Sequence, residues 1–374
     1  MTSNPLVRLG QLGQSPWYDF ITRDLVASGE LARLIADDGL LGMTTNPTIF
    51  EKAVAGGERY DEPIRRLAGQ GRSAAEIFEA LAVADVRAAC DLFGPVFERT
   101  AGQDGLVSIE VAPTLAHDTP ATIVEAERLW RAVARPNAMI KIPGTAAGLP
   151  AVSHCISQGI NVNVTLLFSV ERYEDVVSAY EAGLETRLAR GQSVDRIGSV
   201  ASFFVSRVDS KVDALLDRAG DPDRLRGRIA IANACRAYEA FERRTSTARW
   251  TGLAERGARP QRPLWASTST KDPRYADVHY VEALVAPHTV NTLPPETFAA
   301  YRDHGRPEVR IRAGIAAAPG QLDALARSGI DLRSVTRELE DEGVAKFAGS
   351  YAAVLAAVDA KASALTTATV NSER

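Results

Sequence analysis

Residues 139–145 read Met-Ile-Lys-Ile-Pro-Gly-Thr and place a single charge inside an apolar run. Arg135-Pro136-Asn137 precedes the run and Pro143-Gly144 ends it, the pattern of a strand buried on both faces of a parallel sheet. An ammonium at Lys141 must reach solvent, pair with a carboxylate, or lose its proton. The chain carries 43 Lys+Arg, yet its lysines are few: Lys52, Lys141, Lys211, Lys271, Lys346 and Lys361. A desolvated arginine stays charged, whereas a desolvated lysine can become a neutral amine that attacks carbonyls. The plainer reading of Lys141 is a strand-end lysine reaching solvent or a structural carboxylate.

Working outward, further short apolar segments repeat the theme. Strands are expected at 14–20, 40–43, 105–111, 197–205, 263–266 and around 288–293. Residues 159–167 alternate Asn161, Asn163 and Thr165 against Ile160, Val162, Val164 and Leu166. That period of two predicts a strand whose polar face meets something wet or reactive. Between the strands, helical spacing is read at 22–37, 119–134, 146–158, 173–190 and 224–244, with a helical excursion at about 51–100. Helices at about 306–364 close the chain, with one break expected near Pro319.

Eight strands, most separated by helices, argue for a parallel sheet, and eight can close as a barrel. The expected fold is α/β: a (β/α)8 TIM barrel with additional helices inserted after strand 2 and at the C-terminus. Residues 1–374 are taken as one domain. An open doubly wound sheet is the competitor, but no GxGxxG or GxxxxGK[ST] turn follows any strand, which weakens a nucleotide-binding reading.

Net charge −4 and a pI near 5.9 give no electrostatic reason to expect nucleic acid or an anionic membrane. Residues 1–14 are polar, without the apolar core of a leader. Cys90, Cys155 and Cys235 stand far apart in no CxxC spacing and read as free thiols of a reducing compartment. The histidines form no HxH or HxxxH pair, so no metal site is expected. A cytoplasmic location follows as the expectation.

Polar residues fall at or just past the ends of successive strands: Asp19, Asn46, Glu110, Lys141, Asn163 and Thr165, Ser202 and Arg207, then Ser267 and Lys271. In such a barrel that face gathers residues remote in sequence into one pocket. Singly, each has a bland reading; Asn46 before Pro47, for instance, is an ordinary helix cap. Together they allow coherent chemistry. Lys141 can form a Schiff base with a ketone, and Glu110 can serve as acid/base through a water held by Thr165. Asp19 can take the proton of a substrate hydroxyl. Asn46, Asn163 and Ser202 can bind sugar hydroxyls, while Arg207, Ser267 and Lys271 can bind a phosphate. Phe203 and Phe204 are expected to keep the pocket dry.

The motifs also resemble a known family. Thr44-Thr45-Asn46-Pro47, Ile109-Glu110-Val111, Ile140-Lys141-Ile142-Pro143, the run 161–169 and Ala201-Ser202-Phe203-Phe204-Val205-Ser206-Arg207 look like transaldolase signatures. Arg262-Pro263-Leu264-Trp265-Ala266-Ser267 and Val290-Asn291-Thr292-Leu293-Pro294 look like its longer bacterial branch. Ala112, Gly144 and Thr268-Ser269-Thr270 depart from the pattern without removing a catalytic group. The resemblance implies a barrel with the Schiff-base lysine on strand 4. It implies transfer of a dihydroxyacetone unit from sedoheptulose 7-phosphate or fructose 6-phosphate to glyceraldehyde 3-phosphate or erythrose 4-phosphate, in the pentose phosphate pathway. Neither cofactor nor metal is expected, and the chain is expected as a monomer or homodimer. The rivals are a class I aldolase that releases dihydroxyacetone and a non-catalytic sugar-phosphate binder.

Overall fold

The computed structural model describes residues 4–219 and 224–372. Its centre is a closed barrel of eight parallel strands in sequence order, each hydrogen-bonded to its sequence neighbours. They are β1 (Gln14–Asp19), β2 (Gly42–Thr44), β3 (Leu106–Glu110), β4 (Ala138–Pro143), β5 (Val162–Leu167), β6 (Ser199–Phe204), β7 (Arg262–Ala266) and β8 (Thr289–Leu293). The eight-stranded (β/α)8 barrel expected from the alternation is present. Most strands are buried throughout, which is why they read as near-continuous apolar runs.

Register decides what meets inside. Glu110 on β3 lies beside Lys141 on β4, and Lys141 lies beside Asn163 on β5. Because side chains alternate along a strand, adjacent registered residues share one face. The polar series 161–163–165 thereby joins Ser108, Glu110 and Lys141 on the barrel interior. Near the N-terminal ends of the strands the interior is closed by structure. Arg262 pairs with Asp104 at 2.8 Å, Ser15 donates to Asp104 at 3.0 Å, and Trp17 donates to it at 3.3 Å. Gly42 makes room there, since a Cβ would stand 2.5 Å from the Trp17 indole.

The helical excursion after β2 comprises Pro47–Gly56, Asp61–Gly69 and Ala74–Arg99 with a short 3-10 turn. Helices Ile311–Arg327 and Leu332–Ser372 end the chain. One element went unread in the sequence and one detail differs from its reading. Pro5–Gln11 is helical, capped by Asn4, whose side chain accepts from Leu6 N, with Leu6 and Leu9 buried; only residues 1–3 of that polar stretch lie outside the described residues. Pro319 does not break its helix. It sits on an exposed side, where the carbonyl left without a partner can be hydrated. The break falls instead at Gly329, whose φ of +82° lets Ile330 N reach back to Leu325 O.

No described helix is long and apolar enough to cross a membrane.

Candidate active site

The open end of the barrel holds a cavity of about 380 Å3 lined by Asp19, Asn46, Lys141, Thr165, Ser202, Phe204, Arg207, Ser267 and Lys271, among others. Nine of the eleven site residues expected from sequence therefore share one chamber. The other two lie against it. Glu110 stands behind Lys141, with Nζ 3.1 Å from Oε2 and both side chains about 5% exposed (6% and 4%). Asn163 is fully buried and internally engaged: it donates to Ser108 Oγ at 3.0 Å and accepts from Ser202 Oγ at 2.7 Å. Its geometry is that of a support which aims Ser202.

Lys141 is held from two sides. Its Nζ also donates to Thr45 O at 3.0 Å and lies 5.4 Å from the Phe347 ring centre. Burial pushes the Glu110 carboxyl above its ordinary range, and Lys141 pulls against that rise. Asp19 is raised for the same first reason, with Lys141 and then Thr44 opposing. Two carboxyls with a proton within reach thus flank one amine. Thr44 donates to Asp19 Oδ1 at 2.7 Å and contacts Thr292 Oγ1 at 2.6 Å, which fixes the carboxylate's orientation.

Asn46 satisfies both of its readings. Its Oδ1 caps helix Pro47–Gly56 by accepting from Ile49 N, while its side chain also acts on Asp19 from the cavity wall. Thr165 Oγ1 is buried and meets no hydrogen-bond partner among the described residues, so it is free to hold a small polar molecule beside Lys141. Phe204 lines the chamber. Phe203 does not; alternation turns it outward onto Tyr173 and Trp265, at ring separations of 6.5 and 6.3 Å. The dry wall expected of both phenylalanines is supplied by Phe204 with Phe20 and Phe347.

At the far side, cations gather. Arg207 lies at the start of helix Ser206–Ala219, its guanidinium 5.0 Å from the Phe204 ring and 5.8 Å from Phe347. Lys271 donates to Ser269 Oγ at 2.6 Å. Ser267, at φ +55°, is a non-glycine residue in the left-handed region, a strain of about 1–3 kcal/mol that the surrounding contacts sustain. Ser206 N donates to Ser267 O, and the two hydroxyls contact each other at 2.9 Å. Burial lowers the pKa of Arg207, with Asp19 opposing.

Sequence reasoning missed several wall residues: Thr44, Thr292, Lys52, Glu296, Lys346 and Phe347. The scarcity of lysine was a usable signal, since four of the six, Lys52, Lys141, Lys271 and Lys346, line this one cavity. Phe347 carried none, because it arrives on a helix two hundred residues after β4. Among the described residues no group of three or more His, Cys, Asp or Glu could hold a metal.

Residues 16–358 match the family model described as transaldolase/fructose-6-phosphate aldolase. A transaldolase of Acidothermus cellulolyticus is 52% identical over 359 residues, covering 95% of this chain and 96% of the relative. Transaldolase 1 of Streptomyces avermitilis is 51% identical over 362 residues, 96% of this chain and 95% of its own. A transaldolase of Trichodesmium erythraeum is 45% identical over 378 aligned residues, covering 98% and 100%.

Proposed function

The chain belongs to the transaldolase/fructose-6-phosphate aldolase family, and we propose that it moves a dihydroxyacetone unit between sugar phosphates through a Schiff base on Lys141. The observation that carries this reading is the buried Lys141–Glu110 pair, 3.1 Å apart, in a chamber whose rim is cationic. The relatives named transaldolase, about half identical over nearly the whole chain, support transfer over simple cleavage.

The steps follow from the contacts. Lys141 passes a proton to Glu110 and its free amine attacks the ketose C2 carbonyl. Glu110 then returns a proton to the departing hydroxyl, which leaves as water, with Thr165 Oγ1 positioned to hold that water. Asp19, oriented by Thr44, takes the proton of the C4 hydroxyl. The C3–C4 bond breaks, the new aldehyde leaves with the phosphate, and the bonding pair enters the imine to form an enamine. An acceptor aldose phosphate enters, the enamine attacks its aldehyde, and the steps run in reverse. Ser202 and Asn46 hold donor hydroxyls. Arg207, Ser267 and Lys271 bind the phosphate, where a guanidinium and helix-start amides can share one dianion. Phe20, Phe204 and Phe347 keep water from the enamine between the two half-reactions.

Sodium borohydride added with fructose 6-phosphate should reduce the imine and fix a dihydroxyacetone-derived or hexose adduct on Lys141 alone, located by peptide mass mapping. With erythrose 4-phosphate as acceptor and no reductant, sedoheptulose 7-phosphate should form. Label on Lys271, or on no lysine, refutes the Schiff-base reading. Free dihydroxyacetone as the main product in the presence of acceptor refutes transfer.

A further inference from the structure

The cavity rim carries a lysine that the reaction above does not use. Lys346 is exposed on the C-terminal helix Leu332–Ser372, one residue before the Phe347 that covers Lys141. Other lysines around this helix have structural partners. Lys211 bridges Glu338 and Glu342, each at 2.6 Å. Lys361 meets Asp61 at 2.7 Å and the carbonyls of Val54 and Gly57. Among the described residues Lys346, Lys271 and Arg207 have no such carboxylate, although Glu296 acts on Lys271 and Asp19 on Arg207 from farther away.

These three cations line the wall of one cavity. The charges of Lys346 and Arg207 both bear on Lys271, whose pKa burial lowers first. Arg207 lies against the same helical turn: a Cβ on Gly343 would stand 3.7 Å from its Nη1, and its guanidinium faces the Phe347 ring. Their like charges repel one another, and that repulsion opposes docking of the 343–347 turn on the barrel. A dianion placed among them turns each repulsion into attraction.

We infer that Lys346 is the third cation of the phosphate site, and that a bound phosphate therefore holds the C-terminal helix down over Lys141. This rests on the phosphate reading given above for Arg207 and Lys271. Coupling between two equilibria is reciprocal: phosphate tightens the docked helix, and the docked helix tightens phosphate. A sugar phosphate thus closes its own chamber, bringing Phe347 over the reacting carbon, whereas an unphosphorylated sugar leaves the helix looser.

Hydrogen exchange of the full chain, read by mass spectrometry on peptides spanning 340–351, tests the linkage with inorganic phosphate as probe. Phosphate occupancy is set for each variant from its competition against fructose 6-phosphate. In the unaltered protein, saturating phosphate should slow exchange in these peptides by about 3–10-fold. Lys346→Gln should abolish that slowing and raise KM for fructose 6-phosphate by about 3–10-fold. Lys346→Arg should restore both. Lys361→Gln, which loosens the helix elsewhere, should leave the phosphate effect in place. Phosphate that competes with substrate yet protects the helix equally in Lys346→Gln overturns the inference and spares the proposed function. Phosphate that does not compete at all, with KM unmoved in Arg207→Ala, overturns the phosphate reading beneath it.

Discussion

Replacing Lys141 by methionine keeps the length of the side chain and its contact with Phe347 but removes the cation facing Glu110. The consequence for stability follows from the site. Glu110 is then a buried carboxylate with no cation at 3.1 Å, and neither of its oxygens accepts a well-formed hydrogen bond from the described residues. It escapes the penalty by taking up a proton. Asp19 also loses Lys141, but Arg207 still acts on it, so Glu110 dominates. Its ordinary pKa is 4.5, and neutrality at pH 7 then costs about 3.4 kcal/mol, at about 1.4 kcal/mol per unit. At pH 5.5 the same step costs about 1.4 kcal/mol. The sign follows from linkage. A carboxyl raised in the folded state binds a proton that the unfolded chain has released, so stability falls as pH rises above about 4.5 and is intact below it. Urea unfolding midpoints, followed by circular dichroism, should place Lys141→Met about 2–3.4 kcal/mol below the unaltered protein at pH 7. At pH 5.5 the gap should narrow to about 1.4 kcal/mol or less. Adding Glu110→Gln should recover most of the loss, because the stranded charge is gone. A gap that stays constant with pH, or a double variant no more stable than Lys141→Met, would show that Lys141 supports the barrel by packing and that the pair is not electrostatically coupled.

Thr165→Val should slow imine formation in single-turnover experiments by about 10–100-fold without lowering the unfolding midpoint, since the lost hydroxyl has no hydrogen-bond partner among the described residues; a destabilised variant of normal rate would make the hydroxyl structural. Arg207→Ala should reduce kcat/KM for fructose 6-phosphate by about 10–1000-fold and barely touch the slow reaction of unphosphorylated fructose. Equal losses on both donors would mean that the pocket itself is disturbed. Burial lifts Asp209 to about 7 from 3.8, against its bonds to Ala230 N and Tyr280 and with Asp213 adding to the rise. The folded chain therefore loses stability as pH climbs from about 4 to about 7, by up to about 4 kcal/mol. Asp209→Asn should flatten that slope in urea titrations at pH 5 and pH 8, and an unchanged slope would locate it elsewhere.

Much of this was legible because a barrel converts sequence order into geometry. The lysine in an apolar strand, the carboxylate one strand earlier and the Asn/Thr alternation each fell on the interior face, as period-two patterning requires. Depth along the barrel was not legible. Asn161, Asn163 and Thr165 share one face, yet Asn161 is bound to the backbone at Pro136, Ala138 and Gly198, Asn163 bridges two serines, and Thr165 alone of the three lines the cavity. Their order in sequence says which is highest, not where the chamber begins. Phe203 and Phe204 show the complementary case: alternation from Ser202, already expected in the pocket, puts Phe204 on the inner face and turns Phe203 out onto Trp265. The contribution of Lys346 and Phe347 is a tertiary event. Nothing local in a 41-residue helix marks the turn that crosses a barrel mouth.

The barrel holds two buried ion pairs at opposite ends, and their difference separates structure from chemistry. At the N-terminal end, Arg262 meets Asp104, Ser15 Oγ and Gln103 O, while Asp104 also accepts from Ser15 and Trp17. The guanidinium cannot give up its proton, and its partner's oxygens are bonded, so the pair is closed. At the other end the chain uses lysine, whose proton can move, against Glu110, whose oxygens accept no well-formed hydrogen bond among the described residues. A satisfied buried pair rigidifies, whereas an under-satisfied one keeps free energy available for a substrate that completes it. In the proposed reaction a ketose carbonyl and the water it loses would supply the missing partners at Lys141, Glu110 and Thr165. Nothing comparable could enter at Arg262. An arginine at position 141 should keep the charge and the pairing and end the proposed reaction, which needs there a cation that can stop being one.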